Sequence, residues 1–407
     1  MLVLLFSKKL IKKHNFDSKK LKISSPNKRL YFIEKCNSSN IAHHHTKRLI
    51  FVFIPLVDLA FLFFFSLASL FLLRKFAKKI GLVDKPNARK LHNGSIPLVG
   101  GISICISMLY FLFNNTSIIP HTPLFAACII TLVIVGALDD KFDISFKIRF
   151  AVQAILSVAM MMIGGIELHT IGDVFGTGDV ITLGWFGYLV TIFAVVGAIN
   201  AFNMVDGIDG LLGGLSVVTF GGLGILLAHD GQQNIAYLCL VMVVIMLPYI
   251  LLNLGAFGRK RKVFMGDAGS MVIGFTVIWF LLLSSQNEKG APLQPVTALW
   301  LIAVPLMDMA AIMIRRIQRG CSPFKPDREH LHHIFQRLGL SSTQTLIVIC
   351  LIAATYAGIG IYAEIIGIPE YVMFYAFIAC FLVYLLILTY VWRITTWLKQ
   401  VLETENS

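Results

Sequence analysis

The chain has 407 residues, of which 57% are hydrophobic and only 14% are charged, and its mean hydropathy is +0.78. Soluble domains carry about 25% charged residues, so this composition excludes a single soluble core and indicates a polytopic membrane protein. The seven cysteines are scattered without a CxxC pair, which argues against a disulfide framework and against a zinc site.

The formal charge of +13 is concentrated at the start of the chain. Residues 1–48 hold ten Lys and two Arg against Asp17 and Glu34, a net charge of +10, and form a basic tail. Hydrophobic segments follow this tail, so we predict a transmembrane domain over 49–395 and a short cytoplasmic tail over 396–407.

Long apolar runs set the predicted fold class. Crossing a bilayer takes roughly 20 apolar residues, and on that measure the sequence predicts an all-α polytopic protein with about eleven transmembrane helices. The runs lie at 49–73, 96–113, 123–138, 149–168, 184–205, 211–228, 235–255, 268–285, 296–314, 345–365 and 370–392.

Lysine and arginine are distributed among the loops in a way that orients these helices. Basic residues occupy loops 74–95, 139–148, 256–267 and 315–344, whereas the alternate loops hold none except Lys289. By the positive-inside rule the basic loops face the cytoplasm, which places the C-terminus inside and the N-terminus outside.

The basic tail conflicts with this orientation, because a net charge of +10 beside the first helix resists translocation. One explanation is that the count of helices is wrong by one and that the tail binds anionic lipid inside the cell. We prefer the other explanation, that the natural chain starts near Leu49, which makes the tail a start-site artefact.

Carboxylates collect at the cytoplasmic ends of three predicted helices. They lie in "GALDDKFD" with Asp139, Asp140 and Asp143, in "NAFNMVDGIDGL" with Asn200, Asn203, Asp206 and Asp209, and in "FMGDAGS" with Asp267. Six carboxylates brought together repel one another, and a divalent cation relieves that repulsion. All-oxygen ligands favour Mg²⁺, with Mn²⁺ as a substitute. The alternative is that these aspartates only cap helices.

Cations and histidines accompany the carboxylates. They lie in "DKPNARKLHNGSIPLVGG" with Lys85, Asn87 and His92, and in "PDREHLHH" with Arg328, His330, His332 and His333. Acids and a metal surrounded by cations suit a phosphate or pyrophosphate ligand. Helical spacing places His330 and His333 on one face and His332 on another. We favour phosphate or sugar contact for these histidines over a zinc site or unspecialised loop residues.

Two common catalytic motifs are missing from the sequence, and one further acid stands out. Neither a Walker A sequence nor HExxH occurs, which excludes a P-loop enzyme and a zincin metalloprotease. Asp308 lies about two helical turns before Arg315. It is a candidate for supporting the site close to the cytoplasmic face, and the alternative that it has no functional role stays equally open.

At these residues the chain resembles a known family, the polyprenyl-phosphate N-acetylhexosamine-1-phosphate transferases. "DKPNARKLHNGSIPLVGG", "LDDKFD", "NAFNMVDGIDGL", "MGDAGS" and "DREHLHH" follow one another in the family's order. The resemblance covers residues 50–395. The "HLHH" stretch after "SPFKPDRE" is similar to the UDP-GlcNAc branch of the family rather than to the muramoyl-pentapeptide branch.

The resemblance implies transfer of GlcNAc-1-phosphate from UDP-GlcNAc to undecaprenyl phosphate, with UMP as the second product. It implies the first lipid-linked step of enterobacterial common antigen and O-antigen lipopolysaccharide synthesis, in the bacterial inner membrane with the active site facing the cytoplasm. The expected partners are the two substrates and the bilayer. No nucleic acid is expected, and a homo-oligomer is left open.

The resemblance also implies roles for individual residues. Asp267 and Asn203 are expected to be ligands of the metal or the pyrophosphate. Asp139 and Asp140 are candidates to deprotonate or position the lipid phosphate. We prefer direct attack by that phosphate over an aspartyl-phosphate intermediate, because direct attack needs no additional covalent step.

The remaining roles follow in the same way. Asp206 and Asp209 are expected to organise the metal or nucleotide site. The predicted substrate-binding residues are Lys85, Asn87, His92, Asp143, Arg328, His330, His332 and His333.

Other functions remain open at this stage. A relative could use another donor, such as UDP-MurNAc-pentapeptide or UDP-GalNAc, and one sequence does not decide the sugar. A transporter predicts acids along the middle of the helices, whereas here they lie at one end. A non-catalytic scaffold predicts loss of the motif acids, and all of them are present.

Overall fold

The computed structural model describes residues 56–84, 94–286, 292–323 and 329–405, with side chains as far as residue 391. These residues belong to one compact unit. The basic tail and four of the predicted site residues lie outside the described residues, so what was predicted for them stays a prediction. These four are Lys85, Asn87, His92 and Arg328.

The described chain is built almost entirely of α-helices, which confirms the predicted fold class. The helices are α1 (Leu56–Ile80), α2 (Gly100–Asn114), α3 (Thr122–Phe142), α4 (Phe146–Gly164), α5 (Phe186–Met204), α6 (Leu211–His229), α7 (Gln233–Asn253), α8 (Gly266–Ser285), α9 (Pro295–Leu301), α10 (Ala303–Gln318), α11 (Leu331–Arg337), α12 (Ser342–Ile366) and α13 (Glu370–Glu405). A small antiparallel sheet pairs β1 (Val83–Asp84) with β2 (Ile96–Pro97).

The predicted number of about eleven transmembrane helices is not supported. Nine of the described helices are long and apolar enough to cross a membrane, or ten if α9 and α10 form one broken span. Helix α2 has only 15 residues, which gives a length of about 22 Å against a hydrocarbon core of about 30 Å. The side of the membrane on which each terminus lies stays a prediction.

A proline explains the break between α9 and α10, which meet at an angle of 84°. Pro305, in the first turn of α10, has no N–H group to donate to the carbonyl of Leu301. That carbonyl instead accepts a hydrogen bond of 3.2 Å from the hydroxyl of Thr219 on α6. The neighbouring helix thereby satisfies a backbone group that the break has freed.

Helix α8 lies at the centre of the bundle. It is buried along almost its whole length, between α3, α5 and α2. Its aromatic residues pack against α3, since the ring of Phe125 on α3 lies 5.1 Å from Trp279 and stacks on Phe275 at 6.4 Å. A helix that is apolar on all sides belongs in a core, so the packing of α8 fixes where its N-terminal end lies.

Large apolar side chains cover the outside of the bundle. Leu72 on α1, Met162 on α4 and Leu386 on α13 are all more than half exposed. An exposed apolar surface of this extent is unfavourable in water and favourable against acyl chains. Together with the apolar helices, it shows a multi-pass membrane protein.

Contacts between loops support the grouping that the charges predicted. At one end, Arg74 donates a hydrogen bond of 2.8 Å to the carbonyl of Lys260, which joins two of the basic loops. At the other end, the amide oxygen of Gln286 accepts from the backbone of His169 and Thr170, which joins two of the loops without basic clusters. The two sets of loops therefore lie at opposite ends of the helices.

The contact between α3 and α8 gives a test of this packing. A Cβ atom on Gly136 would overlap the backbone of Ala268, whereas one on Gly358 of α12 would meet open space. We expect Gly136→Ala to lower the free energy of unfolding by about 1–3 kcal/mol, because overpacking forces the backbones apart. The matched control, Gly358→Ala, is expected to be neutral. Equal unfolding temperatures for the two variants in detergent would contradict this packing.

Candidate active site

The site begins where Asp140, at the end of α3, meets the N-terminus of α8. The carboxylate of Asp140 accepts hydrogen bonds from the backbone N–H groups of Asp267, at 2.9 Å, and Ala268, at 3.3 Å. Gly266 has φ +76, a backbone conformation that disfavours a side chain, and a Cβ atom there would also collide with the carboxylate of Asp140. Because the first N–H groups of a helix have no partners within it, Asp140 both caps α8 and positions Asp267.

The side chain of Asp267 is held between α5 and α4. Its Oδ1 accepts a hydrogen bond of 2.6 Å from the amide of Asn203, and its Oδ2 lies 3.5 Å from the guanidinium of Arg149. The same amide lies 2.8 Å from the hydroxyl of Ser270, one turn further along α8. The two residues that we predicted as metal or pyrophosphate ligands are thus in direct contact.

Arg149 joins the first and the third aspartate motifs, and the sequence analysis did not identify it. It lies one turn into α4 and forms an ion pair of 2.7 Å with Asp139, which is only 6% exposed. A buried carboxylate needs such a partner. The available signal was a basic residue at the cytoplasmic end of a predicted helix, close in sequence to an acidic motif.

The loop after α5 carries the second pair of aspartates. Asp209 forms an ion pair with Lys262. The backbone N–H of Gly210 donates 2.6 Å to the amide of Asn253, which in turn donates to the carbonyl of Val263. These contacts attach the loop both to α7 and to the segment that precedes α8.

Asp206 lies in the same loop and remains accessible to solvent. Partial desolvation within the site raises the pKa of Asp206 to about 7, and the negative charges of Asp267 and Asp209 raise it further in the same direction. The charges of Asp267 and Asp209 therefore both act on Asp206.

The three histidines lie at the start of α11. His330 precedes the helix, and its ring stacks on that of His332 with an interplanar angle of 8°. The ring of His333 lies 4.2 Å from that of His332. The helical spacing therefore gave the wrong grouping, because His330 is outside the helix and pairs with His332 instead of His333.

His332 connects this segment to the aspartate loop. Its ring is 2% exposed and packs against Gly207, and its Nε2 has no hydrogen-bond partner among the described residues. Burial lowers the pKa of His332 to about 3, and the neighbouring His333 and His330 lower it further. His332 is therefore neutral at physiological pH and contributes shape and hydrogen bonding rather than charge.

A cavity of about 310 Å³ lies between α4, α5, α10 and α11. Apolar residues of α4, α5 and α10 form one part of its wall. The polar part consists of Arg149, Asn200, Asn203, Arg316, His330, His332 and His333. The cavity thus brings Asn203, which contacts Asp267, to the same place as the histidine segment, residues 330–333.

Of the predicted site residues that the structure describes, only Asn203, His330, His332 and His333 line the cavity wall, and the six aspartates do not. Asp143 ends α3 with φ 52, is exposed, and does not line the wall. The sequence analysis, for its part, did not assign Arg316 to the site. Arg316 is 8% exposed, lines the cavity, and donates a hydrogen bond of 2.5 Å to the carbonyl of Pro323.

The donor atoms fit magnesium better than a softer metal. Within the described part of the chain, no three His, Cys, Asp or Glu side chains converge on one point that could hold an ion. Asp206 and Asp267 nevertheless offer only oxygen atoms, and the charge of Asp267 raises the pKa of Asp206. Mg²⁺ is usually bound by one or two carboxylates together with substrate phosphates, and this arrangement fits that pattern.

The ion pair of Arg149 and Asp139 gives a second test. We expect Arg149→Gln to lower the free energy of unfolding by about 1–3 kcal/mol, because it leaves a buried carboxylate without its partner. Adding Asp139→Asn to that variant is expected to restore part of the loss, since the buried charge is then removed. Denaturation of the four proteins in detergent measures this coupling. Strictly additive effects would show that the two side chains do not depend on each other.

Comparison with known proteins identifies the family to which the chain belongs. Residues 122–285 match the model of glycosyl transferase family 4. An undecaprenyl-phosphate alpha-N-acetylglucosaminyl 1-phosphate transferase of Yersinia pestis is 54% identical over 345 residues, which cover 84% of this chain and 94% of the relative. The protein of the same name in Escherichia coli (strain K12) is 52% identical with the same coverage.

A relative of the same name in Haemophilus influenzae is 49% identical over 335 residues, which cover 82% of this chain and 93% of that protein. The similarity therefore extends well beyond α3 to α8, the part matched by the family model. The resemblance inferred from the motifs is confirmed. The chain belongs to glycosyl transferase family 4, among the undecaprenyl-phosphate alpha-N-acetylglucosaminyl 1-phosphate transferases.

Proposed function

We propose that this protein transfers GlcNAc-1-phosphate from UDP-GlcNAc to undecaprenyl phosphate. An oxygen of the lipid phosphate attacks the phosphorus that bears the sugar, and the bond to the UMP oxygen breaks. The products are undecaprenyl-diphosphate-GlcNAc and UMP. One pyrophosphate bond is broken and one is formed, so catalysis consists mainly of positioning and charge stabilisation.

The observation that carries this proposal is the shared cavity. Asn203, in contact with Asp267, lines one side of it, and His330 and His332 line another. A transferase that joins a lipid to a nucleotide sugar needs both groups of residues at one membrane interface. The relatives' names give undecaprenyl phosphate as the acceptor and N-acetylglucosaminyl 1-phosphate as the transferred group, and their similarity covers nearly their whole length.

Roles on the phosphate side follow from the contacts. We assign Asp267 and Asn203 to the metal or the diphosphate, with Asp206 and Asp209 organising that region. The positive charge of Arg149 neutralises Asp139. The same guanidinium also lines the cavity wall, where it can contact an anionic substrate. The residues fit a bound Mg²⁺, with Mn²⁺ as a substitute, which neutralises charge on the phosphoryl oxygens.

The three acids at the end of α3 also have roles in this assignment. Both oxygens of Asp140 accept backbone N–H groups of α8, so its part in positioning the lipid phosphate is exerted largely through Asp267. Asp139 and Asp143 keep their proposed roles in positioning the lipid phosphate and binding substrate. Direct attack by the lipid phosphate remains our preferred mechanism over a covalent aspartyl-phosphate.

On the donor side we assign the histidine segment to the sugar nucleotide. His332 is neutral, so it contributes a hydrogen bond or a stacking surface to the donor, while Arg316 supplies positive charge at the cavity wall. Arg328, His330 and His333 belong to the same proposed group. Lys85, Asn87 and His92 are proposed to contact phosphate or nucleotide from the first basic loop.

We place the protein in the bacterial inner membrane with the cavity facing the cytoplasm. The cavity lies at the end of the bundle where the loops rich in Lys and Arg meet, and such loops remain inside. UDP-sugars are made in the cytoplasm, so this orientation gives the donor access. We further propose that the product starts enterobacterial common antigen and O-antigen lipopolysaccharide synthesis.

The reaction is tested by UMP release from the purified protein. Undecaprenyl phosphate, UDP-GlcNAc and Mg²⁺ are omitted one at a time, and UDP-MurNAc-pentapeptide and UDP-GalNAc are supplied as alternative donors. We expect UMP only when the lipid, UDP-GlcNAc and Mg²⁺ are all present. Release with the muramoyl donor alone would keep the site and reject the assigned sugar. Undiminished release without a divalent ion, in the presence of a chelator, would reject the metal.

The role of Asp267 is tested by Asp267→Asn. We expect turnover to fall by about 100-fold or more, because a carboxylate that stabilises charge at the reacting phosphate is lost. The matched control is Asp58→Asn, since Asp58 is exposed in the first turn of α1 and outside the site. Both variants are expected to keep the wild-type unfolding temperature within a few degrees. Normal turnover by Asp267→Asn would refute the assignment.

A further inference from the structure

We propose that Asp308 and Tyr384 are positioning residues for His330, and that the last helix, α13, is therefore part of the sugar-nucleotide site. This inference rests on the proposed function. The sequence analysis gave Asp308 a supporting role without a partner, and it gave Tyr384 no role.

Asp308 is the point at which three helices meet. It lies in the middle of α10, is 1% exposed, and its Oδ2 lies 2.8 Å from Nδ1 of His330. Its Oδ1 accepts 2.8 Å from the hydroxyl of Tyr384 on α13 and 3.1 Å from the backbone N–H of Leu331, the first residue of α11. Both oxygens of the buried carboxylate are therefore used.

These contacts determine what His330 offers to the cavity. An ionised carboxylate only accepts hydrogen bonds, so the contact with Asp308 holds the proton of His330 on Nδ1. Nε2 is then the one ring nitrogen left for a ligand, and His330 lines the cavity. Asp308 thus fixes both the tautomer and the direction of the ring, as the orienting carboxylate does in other histidine sites.

The position of α11 depends on the same network. Ile334 of α11 packs with Ala311 of α10 and with Leu388 and Val391 of α13 in a small cluster, to which Tyr384 also belongs. On the other side of the histidines, Glu329 pairs with Arg315 at 2.9 Å and with Arg319 at 2.6 Å. The histidine segment is therefore fixed at both ends, and Tyr384 is the contribution of α13.

A purely structural role does not account for this arrangement. A buried charge is expensive, and well-packed apolar residues of similar volume stabilise a core equally well or better. Here the carboxylate lies directly behind a histidine of the cavity wall, and the tyrosine hydroxyl supplies a hydrogen bond that holds the carboxylate in place. The free-energy cost of burying the charge of Asp308 is explained if the network orients His330 toward the donor.

The test uses Tyr384→Phe, which keeps the ring and removes only the hydroxyl. Binding of radiolabelled UDP-GlcNAc is measured by equilibrium dialysis, which needs no turnover, and the KM for undecaprenyl phosphate is measured separately. We expect the Kd for UDP-GlcNAc to rise about threefold to tenfold, the size of one ordinary hydrogen bond, because Tyr384 acts on the donor only through Asp308 and His330. The KM for the lipid is expected to stay unchanged.

Two comparisons make the result specific. Tyr375→Phe is the matched control, because Tyr375 lies on the same helix and is half exposed. Among the described residues, the hydrogen-bond partners of Asp308 are His330, Leu331 and Tyr384, and not Tyr375. In an Asp308→Asn background, Tyr384→Phe is expected to have no further effect on the Kd, since it acts through that carboxylate. The single variant His330→Gln is expected to weaken binding at least as much as Tyr384→Phe.

The outcomes separate the two levels of inference. If the wild type neither binds UDP-GlcNAc nor releases UMP, the proposed function fails. If the wild type does both and Tyr384→Phe has the wild-type Kd, only the positioning role is overturned, and a lower unfolding temperature at that unchanged Kd identifies a structural role. Independent, multiplicative effects of Asp308→Asn and Tyr384→Phe would also overturn it.

Discussion

The hydrogen bonds between Asp140 and the N-terminus of α8 are the constraint on which the site depends. Helix α8 is buried along almost its whole length, and the N–H groups of its first turn have no partners within the helix. The partner comes from α3, and this contact places Asp267 beside the acids of the neighbouring helices. A charged site at the end of a fully buried helix is thus built by a carboxylate that caps it.

Much of the fold could be predicted because its signals are local. Apolar runs predicted the long helices approximately, with α9 and α10 as one run and α11 not predicted. The alternation of basic loops predicted which ends meet, since both signals depend only on neighbouring residues and the bilayer. The number of membrane-crossing helices could not be predicted in the same way. It depends on the length of α2 and on the proline after α9, where Thr219 of another helix satisfies the freed carbonyl.

The candidate site shows the same division. The acids of the three motifs were identified because several carboxylates at helix ends are unusual in sequence. The partners of Asp139 and of Asp308 were not identified, because Arg149 belongs to a different helix and Tyr384 follows Asp308 by 76 positions. The pairing of His330 with His332 was also missed, because His330 stands before α11 and the helical period does not apply to it.

Charge within the site is balanced for an anionic ligand. Desolvation and the charges of Asp267 and Asp209 raise the pKa of Asp206, whereas the cavity wall holds Arg316 and a neutral His332. A diphosphate bound there gains from the guanidinium and needs a cation near the carboxylates. The carboxylates repel such a ligand, and Arg149 and Lys262 offset part of their charge, so the Mg²⁺ that we propose would offset the rest when the donor binds.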